Sequence, residues 1–313
     1  MVLQMGSVVI SVDAELGWGF HDLENPPTDR VEAGREGWNH LLNLFDEYDV
    51  SATWGVVGHL FLDECDGEHP HHPTPADWFI REREDWASRR TLLFGDQLID
   101  RLLNADADHD VGCHMHSHVV LDKEWITPEI VRAELEAAIE AGKKRGVEYD
   151  SFIFPRNVVG YRKLLAEYGF TTYRSQPPSG LGWSISKLVA LAAADRVRLV
   201  EPSVDEYGLI KIPPSLFLFG IEGPISSAFQ SVWTDPIVRL TKIGIDRAIR
   251  EDSLFHIWLH PNNLSTSQDV KRMRAILKYI SRRRSDSELA VETMADVANR
   301  IRQSKKLKMS GSH

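Results

Sequence analysis

The sequence predicts a single-domain α/β fold, a distorted (β/α)7-type barrel, on three observations. Short apolar runs rich in β-branched residues alternate with amphipathic segments along nearly the whole chain, which is the rhythm of parallel strands joined by crossover helices. Seven or eight such runs in one domain fit a barrel better than an open sheet. Asp13, His114, Arg156 and His260 each stand just after an apolar run, at the strand ends where barrels of this kind carry their active face.

Val8 to Val12 is suited to a strand buried on both faces, and it ends at Asp13-Ala14-Glu15 ahead of Leu16-Gly17-Trp18-Gly19. A helical stretch from about Gly34 to Tyr48 leads to a strand over Ser51 to Trp54, and a second from Asp96 to Leu103 leads to the strand that runs into His114. Thr127-Pro128 opens an amphipathic helix over 129–144, and Ser151 to Phe154 follows as a strand stopped at Pro155-Arg156-Asn157. Further strands are expected over 170–173, 209–212, 254–259 and 289–291, and helices over 161–168, 185–194, 236–250, 269–283 and 293–302. Two stretches break the rhythm. Residues 63–90, with Glu68-His69-Pro70-His71-His72-Pro73, exceed an ordinary loop and are expected to form a cover over the site. Ser175 to Trp183, centred on Pro177-Pro178-Ser179-Gly180, reads as a turn-rich loop. The domain is expected to occupy 1–303, with the basic, polar 304–313 as a flexible tail.

A chain of 313 residues can bury a full core. Lys and Arg number 36 against 46 Asp and Glu, so the net charge of -10 argues against any broad affinity for nucleic acid or anionic membrane. No run approaches ~18 apolar residues, so no membrane span is expected. Residues 1–7 lack the pattern of a signal peptide, and two cysteines, Cys65 and Cys113, do not make a disulfide framework; together these lead to the expectation of a cytoplasmic protein. Cys113 reads as a small core residue, with thiolate ligation the alternative. The apolar Ser215 to Ile221 reads as a buried strand or oligomer contact in preference to a membrane-touching segment.

Val111 to His118, with the sequence VGCHMHSH, is the most informative motif. Two imidazoles four residues apart, His114 and His118, present nitrogens to one metal ion if the chain between them makes a helical turn, and imidazole suits zinc-like ions. Splitting an amide requires an electrophile, a base to activate water and an acid for the departing amine. A metal on the paired histidines, a carboxylate at the end of the first strand and His260 would supply the three. Trp18, Trp78 and Trp183 are read as packing residues, with stacking on a sugar ring as the alternative. His59, His69, His71 and His72 are read as loop residues, with a regulatory or second metal site as the alternative.

Taken in order, these residues resemble the polysaccharide deacetylase superfamily, carbohydrate esterase family 4 with its NodB-homology domain. Ser11-Val12-Asp13-Ala14-Glu15 is similar to the first motif, Gly112 to His118 to the paired-histidine motif, Phe152 to Asn157 to the arginine-bearing third motif, and Ile257 to His260 to the motif with a late catalytic histidine. The resemblance implies that His114 and His118 bind metal, that Asp13 is the general base held by Arg156, and that His260 is catalytic. Three departures stand out. Ala14 replaces the second of two adjacent aspartates, so Glu15 is the expected third ligand, with the reverse assignment of Asp13 to the metal and Glu15 as base left open. Met115 and His116 lie between the ligands, with His116 expected to face away, and Pro155 precedes Arg156. No fourth motif can be placed, so the oxyanion contacts and the partner orienting His260 are unassigned.

The function so implied is a metal-dependent amidohydrolase that removes an acyl group, acetyl first, from an amino sugar, with one divalent transition metal, zinc by default or Ni2+, Co2+ or Fe2+. The alternatives are hydrolysis of another carbon-nitrogen bond, in a cyclic amide or formamide, and a metal-free carbohydrate-binding relative. The lack of an export pattern favours a cytoplasmic sugar precursor as substrate. Sequence does not specify the oligomeric state.

Overall fold

The computed structural model describes residues 5–176, 197–219, 235–286 and 288–310. The chain begins with β1 (Gly6–Ala14), buried at every position, as expected of a strand covered on both faces. Helix α1 (Thr28–Tyr48) returns to β2 (Thr53–Val56), and after α2 (Ile80–Arg83), α3 (Arg90–Leu93) and α4 (Asp96–Leu103) the chain enters β3 (Asp110–Cys113). Helix α5 (Pro128–Lys144) follows, with Thr127 capping the Ile130 N–H and Pro128 in the first turn. Then come β4 (Ser151–Ile153), α6 (Arg162–Glu167), β5 (Thr172–Arg174), β6 (Ser203–Val204), β7 (Ile210–Ile212) and β8 (Leu216–Phe217). Helix α7 (Pro236–Arg250) starts at Asp235, which accepts from the Ile237 and Val238 N–H groups. The chain closes with β9 (Leu254–Leu259), α8 (Ser267–Ser285), β10 (Leu289–Glu292) and α9 (Met294–Ser310).

Strands β1 to β5 and β9 lie parallel in the order β5-β4-β3-β2-β1-β9. The ends of this curled sheet are joined by one stretch of chain. Strand β7 pairs with β5, and β8, beginning four residues later, pairs with β9, both parallel. Between them stand Pro213 and Pro214, which have no N–H to donate, so the ladder is interrupted where the chain passes from one edge to the other. Counting β7 and β8 as one broken stave, the barrel has seven staves, and the break is where it is distorted. Strand β10 lies outside this ring, beside the first half of β1. Among the described residues no helix is long and apolar enough to cross a membrane.

The expected strands and helices occur with ends shifted by a few residues; the helix expected over 185–194 and most of the turn-rich loop lie outside the described residues. The expected tail differs. Helix α9 runs on to Ser310, because Val297, Ala298 and Ile301 pack it against the barrel and the residues after Gln303 include good helix formers. Of the stretch 215–221, residues 215–219 are described: Leu216–Phe217 is the short strand β8, and Leu216, Leu218 and Phe219 are in the core. Cys113 is also a core residue, and both cysteines are free thiols.

Candidate active site

Side chains two residues apart on a strand share a face, and β1 and β9 are neighbours in register, Ser11 opposite Trp258. Two rows therefore meet inside the barrel: Ser11, Asp13 and Glu15 from β1 and its end, His256, Trp258 and His260 from β9 and its end. His256 Nδ1 bonds the Pro213 carbonyl at 3.1 Å, which makes Nδ1 the protonated nitrogen, and Nε2 lies 2.9 Å from Ser11 Oγ. Burial, reinforced by the Arg174 charge, lowers the His256 pKa to about 3, so the ring is neutral.

Arg174, wholly buried at the end of β5, makes a two-pronged pair with Asp13: Nη1 to Oδ1 at 2.5 Å and Nη2 to Oδ2 at 2.6 Å. It also donates to Ser11 Oγ at 3.1 Å and to Asn157 Oδ1 at 3.0 Å, and its guanidinium lies 4.5 Å from the Trp258 ring centroid. Burial alone would raise the Asp13 pKa, but the Arg174 charge and hydrogen bonds outweigh it and hold the carboxyl below its usual value. The expected partner of Asp13 was Arg156. That expectation is corrected: Arg156 turns out from its loop at φ +50° and pairs with Asp22 at the rim of the cavity. The reason is geometric, since Arg174 ends a stave and points inward, whereas Arg156 already lies beyond the end of β4.

Glu15 Oε2 lies 3.0 Å from His118 Nε2 and 3.5 Å from His114 Nε2. The three donor atoms fall within 4.8 Å of one another. His114 Nδ1 donates to the Ile153 carbonyl at 2.7 Å, which fixes the tautomer and leaves the Nε2 lone pair facing Glu15. Neither His114 Nε2 nor His118 Nε2 makes a hydrogen bond, although both are buried. Two orphaned imidazole nitrogens facing a buried carboxylate fit a divalent transition metal. Burial alone would raise Glu15, but the surrounding His260, His118 and His114 hold it well below its usual value; burial lowers His118, which favours the neutral, ligating ring.

The chain from His114 to His118 is not the helical turn that the spacing suggested. It is a loop in which Met115 and His118 have φ of +64° and +61°, and this reversal turns the two rings towards each other at 4.9 Å between centroids. Glu134 of α5 holds it: Oε2 accepts from the His116 and Ser117 N–H groups at 2.9 and 2.8 Å, and Oε1 from Ser117 Oγ at 2.5 Å. Trp78 Nε1 donates to the same Ser117 Oγ at 2.8 Å. His116 points the other way, its ring 5.4 Å from that of His59.

His260 stands 3.6 Å from Glu15 Oε1 and 3.9 Å from Asp13 Oδ2 through Nε2. Asn263 holds the backbone at His260: its Oδ1 accepts from the His260 N–H at 2.8 Å and its N–H donates to the His260 carbonyl at 3.0 Å. Phe217 and Trp258 flank the ring, stacked on one another at 4.2 Å. These groups open on a cavity of about 600 Å³ lined also by Phe20, Arg30, Asn157 and Phe219. Trp18 is a core residue with its indole bonded to the Leu93 carbonyl, Trp78 braces the histidine loop, and Trp183 lies outside the described residues. No residue of 63–90 lines this cavity. The insertion packs beside the histidine loop and does not roof the site.

The structure thus brings Asp13, Glu15, His114, His118 and His260 together and places Arg156 at the edge. Sequence reasoning missed Arg174 and Glu134. Arg174 carried a usable signal, because it directly follows the strand read over 170–173; Glu134 lies on a helix and carried none.

No protein-family model and no curated protein matches the chain. Solved structures do. A protein from Mycobacterium smegmatis named as a polysaccharide deacetylase superposes with a TM-score of 0.62 at 17% identity, over 96% of this chain and 91% of that one. The Puue allantoinase gives 0.58 at 14% identity, over 94% and 89%. The α-amylase AmyC from Thermotoga maritima gives 0.60 at 12% identity, over 95% and 75%. The chain therefore has the distorted barrel fold of the solved polysaccharide deacetylases.

Proposed function

We propose that the chain belongs to the polysaccharide deacetylase superfamily and is a metal-dependent hydrolase that removes an acyl group, acetyl in the first instance, from an amino sugar. The observation that carries the proposal is the meeting of Glu15, His114 and His118, with two buried unshared imidazole nitrogens, beside an arginine-held carboxylate and His260 at a cavity of about 600 Å³. A divalent ion on those three ligands, zinc by default, would polarise the acyl carbonyl and acidify water.

The chain's own groups supply the proton movements. Asp13 stays ionised near neutral pH because Arg174 is bound to both of its oxygens, and it accepts the proton from attacking water. The same pairing makes Asp13 a weak base, which suits only water made acidic by other means. His260 stands on the other strand with Nε2 towards both carboxylates and gives a proton to the leaving nitrogen. Phe20, Phe217 and Trp258 offer apolar faces to the sugar ring. Arg156 serves at the rim, where it meets polar parts of the substrate. The lack of a disulfide between Cys65 and Cys113 is in keeping with a cytoplasmic glycan precursor as substrate.

A second reading rests on the allantoinase likeness: the same groups would open a cyclic amide. Metal analysis, followed by acetate and formate release from a panel of N-acylated sugars and by detection of the ring-opened carboxylate product from a panel of cyclic amides, separates the readings. The proposal expects acetate from an N-acetylated sugar, lost on chelation and restored by zinc. Turnover confined to cyclic amides selects the second reading, and metal-loaded protein that turns over nothing on the panel overturns both.

A further inference from the structure

We propose a second metal site, structural in role, formed by His59, Cys65, His69 and Glu82. It stands independently of the proposed activity. The four donor atoms lie within 4.8 Å of one another. His59 Nε2 is 2.8 Å from Glu82 Oε1, His69 Nε2 is 3.0 Å from Glu82 Oε2, and Cys65 Sγ is 3.5 Å from His69 Nε2. Ligand atoms sharing a tetrahedral zinc stand roughly 3.3 to 3.6 Å apart, from bond lengths of about 2.1 Å to N or O and 2.3 Å to S, so these three separations need only small adjustments to admit the ion.

Two further observations point to a ligand. His59 is fully buried with no hydrogen bond at either ring nitrogen, and Glu82 Oε1, on a side chain 2% exposed, has none either, despite their 2.8 Å approach. The two atoms are close without hydrogen-bond geometry, as donors aimed at a common third centre are. Secondly, the Gly67 N–H points at Cys65 Sγ from 3.4 Å, where burial and Glu82 otherwise push the thiol up to about 12 so that only a bound cation would hold it as thiolate, and the turn that brings Cys65 and His69 together passes through Gly67 at φ +76°. The rings of Trp18, Phe79 and Phe94 wall the cluster.

One sulfur, two imidazoles and a carboxylate make a set that favours zinc, and four protein ligands leave no open position, which marks the site as structural. Its use follows from its place. Cys65, His69 and Glu82 belong to the insertion, whose regular structure over 63–89 is a single four-residue helix, whereas His59 follows β2 of the barrel. An ion there would fasten the insertion to the barrel. The His59 and His69 rings also contact that of His116, which sits between His114 and His118 in sequence, so the second ion would brace the loop that carries the first.

The test is Co2+ titration of the stripped full chain. We expect about two ions per chain and a sulfur-to-cobalt charge-transfer band in the near ultraviolet. The Cys65→Ser variant should lose the band and bind its second ion at least tenfold more weakly, and insertion cleavage by protease should rise when metal is stripped. The His114→Ala, His118→Ala double variant should keep the band, which separates this site from the first. Wild-type protein that binds one ion or none and shows no band, or a band that survives Cys65→Ser, overturns the proposal.

Discussion

At the scale of single residues, Asp13 and Glu15 are two carboxylates of the same strand end with different company: Asp13 is gripped by Arg174, while Glu15 faces two unshared imidazoles. Asp13→Asn should therefore leave metal content unchanged while turnover collapses, and Glu15→Gln should lose metal; metal analysis of the purified variants checks both, and the reverse pattern would exchange the roles. Removing the arginine strands a buried charge. Arg174→Gln should cost roughly 3–5 kcal/mol in stability, whereas Arg156→Gln, which opens a half-exposed pair, should cost at most about 1 kcal/mol. Urea unfolding of the two variants decides, and equal losses would put Arg156 back on Asp13. His260→Ala should lower kcat/KM on an N-acetyl sugar on the order of 100-fold and on an activated phenyl ester by less, because a phenolate departs without a proton. Strand-end position marked Asp13, His114 and His260 and the four-residue spacing marked His118, whereas Glu15 and the role of each came from the family resemblance. Which arginine serves Asp13 was not, because the choice depends on which stave ends point inward.

Among the elements, the loop from His114 to His118 and the broken stave β7/β8 shape the site most. The spacing of the two histidines suggested a helical turn, and the structure replaces it with a left-handed reversal at Met115 and His118. Such backbone persists only where its surroundings over-determine it, and here Glu134 does so from α5 through three hydrogen bonds. Glu134→Gln keeps the shape but replaces an acceptor oxygen by a donor, and it should weaken metal binding about 10- to 100-fold with the fold retained, measured by competition with a chelator. Unchanged affinity would show that the loop holds itself. Gly19 makes a parallel case: a Cβ there would stand 2.2 Å from the Glu15 carboxyl, so Gly19→Ala should displace that ligand. Helix caps and strand runs were readable because they are local. The loop conformation and the proline break were not, because both are set by partners distant in sequence.

For the whole molecule, the alternation of elements together with their number and the strand-end place of the candidate residues predicted the barrel, and the inner-face rows of β1 and β9 explain why those residues collect at one end. Acid should loosen the structure through buried neutral histidine. His256 has its pKa lowered from 6.5 to about 3, so it contributes stability that is full above about 6.5 and lost as pH falls. His21, His72 and His109, each lowered by burial to about 4, add to this loss, while Asp110 and Glu134, raised by burial to about 6 and about 7, work in the opposite sense with a smaller combined shift; Asp13, lowered by Arg174, adds to the acid loss below about 4. Unfolding free energy should fall from pH 6.5 to pH 4, and a rise over that range would contradict the assignment. The central claim, that Glu15, His114 and His118 hold the catalytic ion with Asp13 left free as base, is tested most directly by anomalous diffraction from zinc-loaded crystals. The account predicts a peak at bonding distance from one Glu15 oxygen and the Nε2 atoms of His114 and His118, with Asp13 still on Arg174. A peak bonded to Asp13 with Glu15 turned away, or no peak between the histidines, would contradict it.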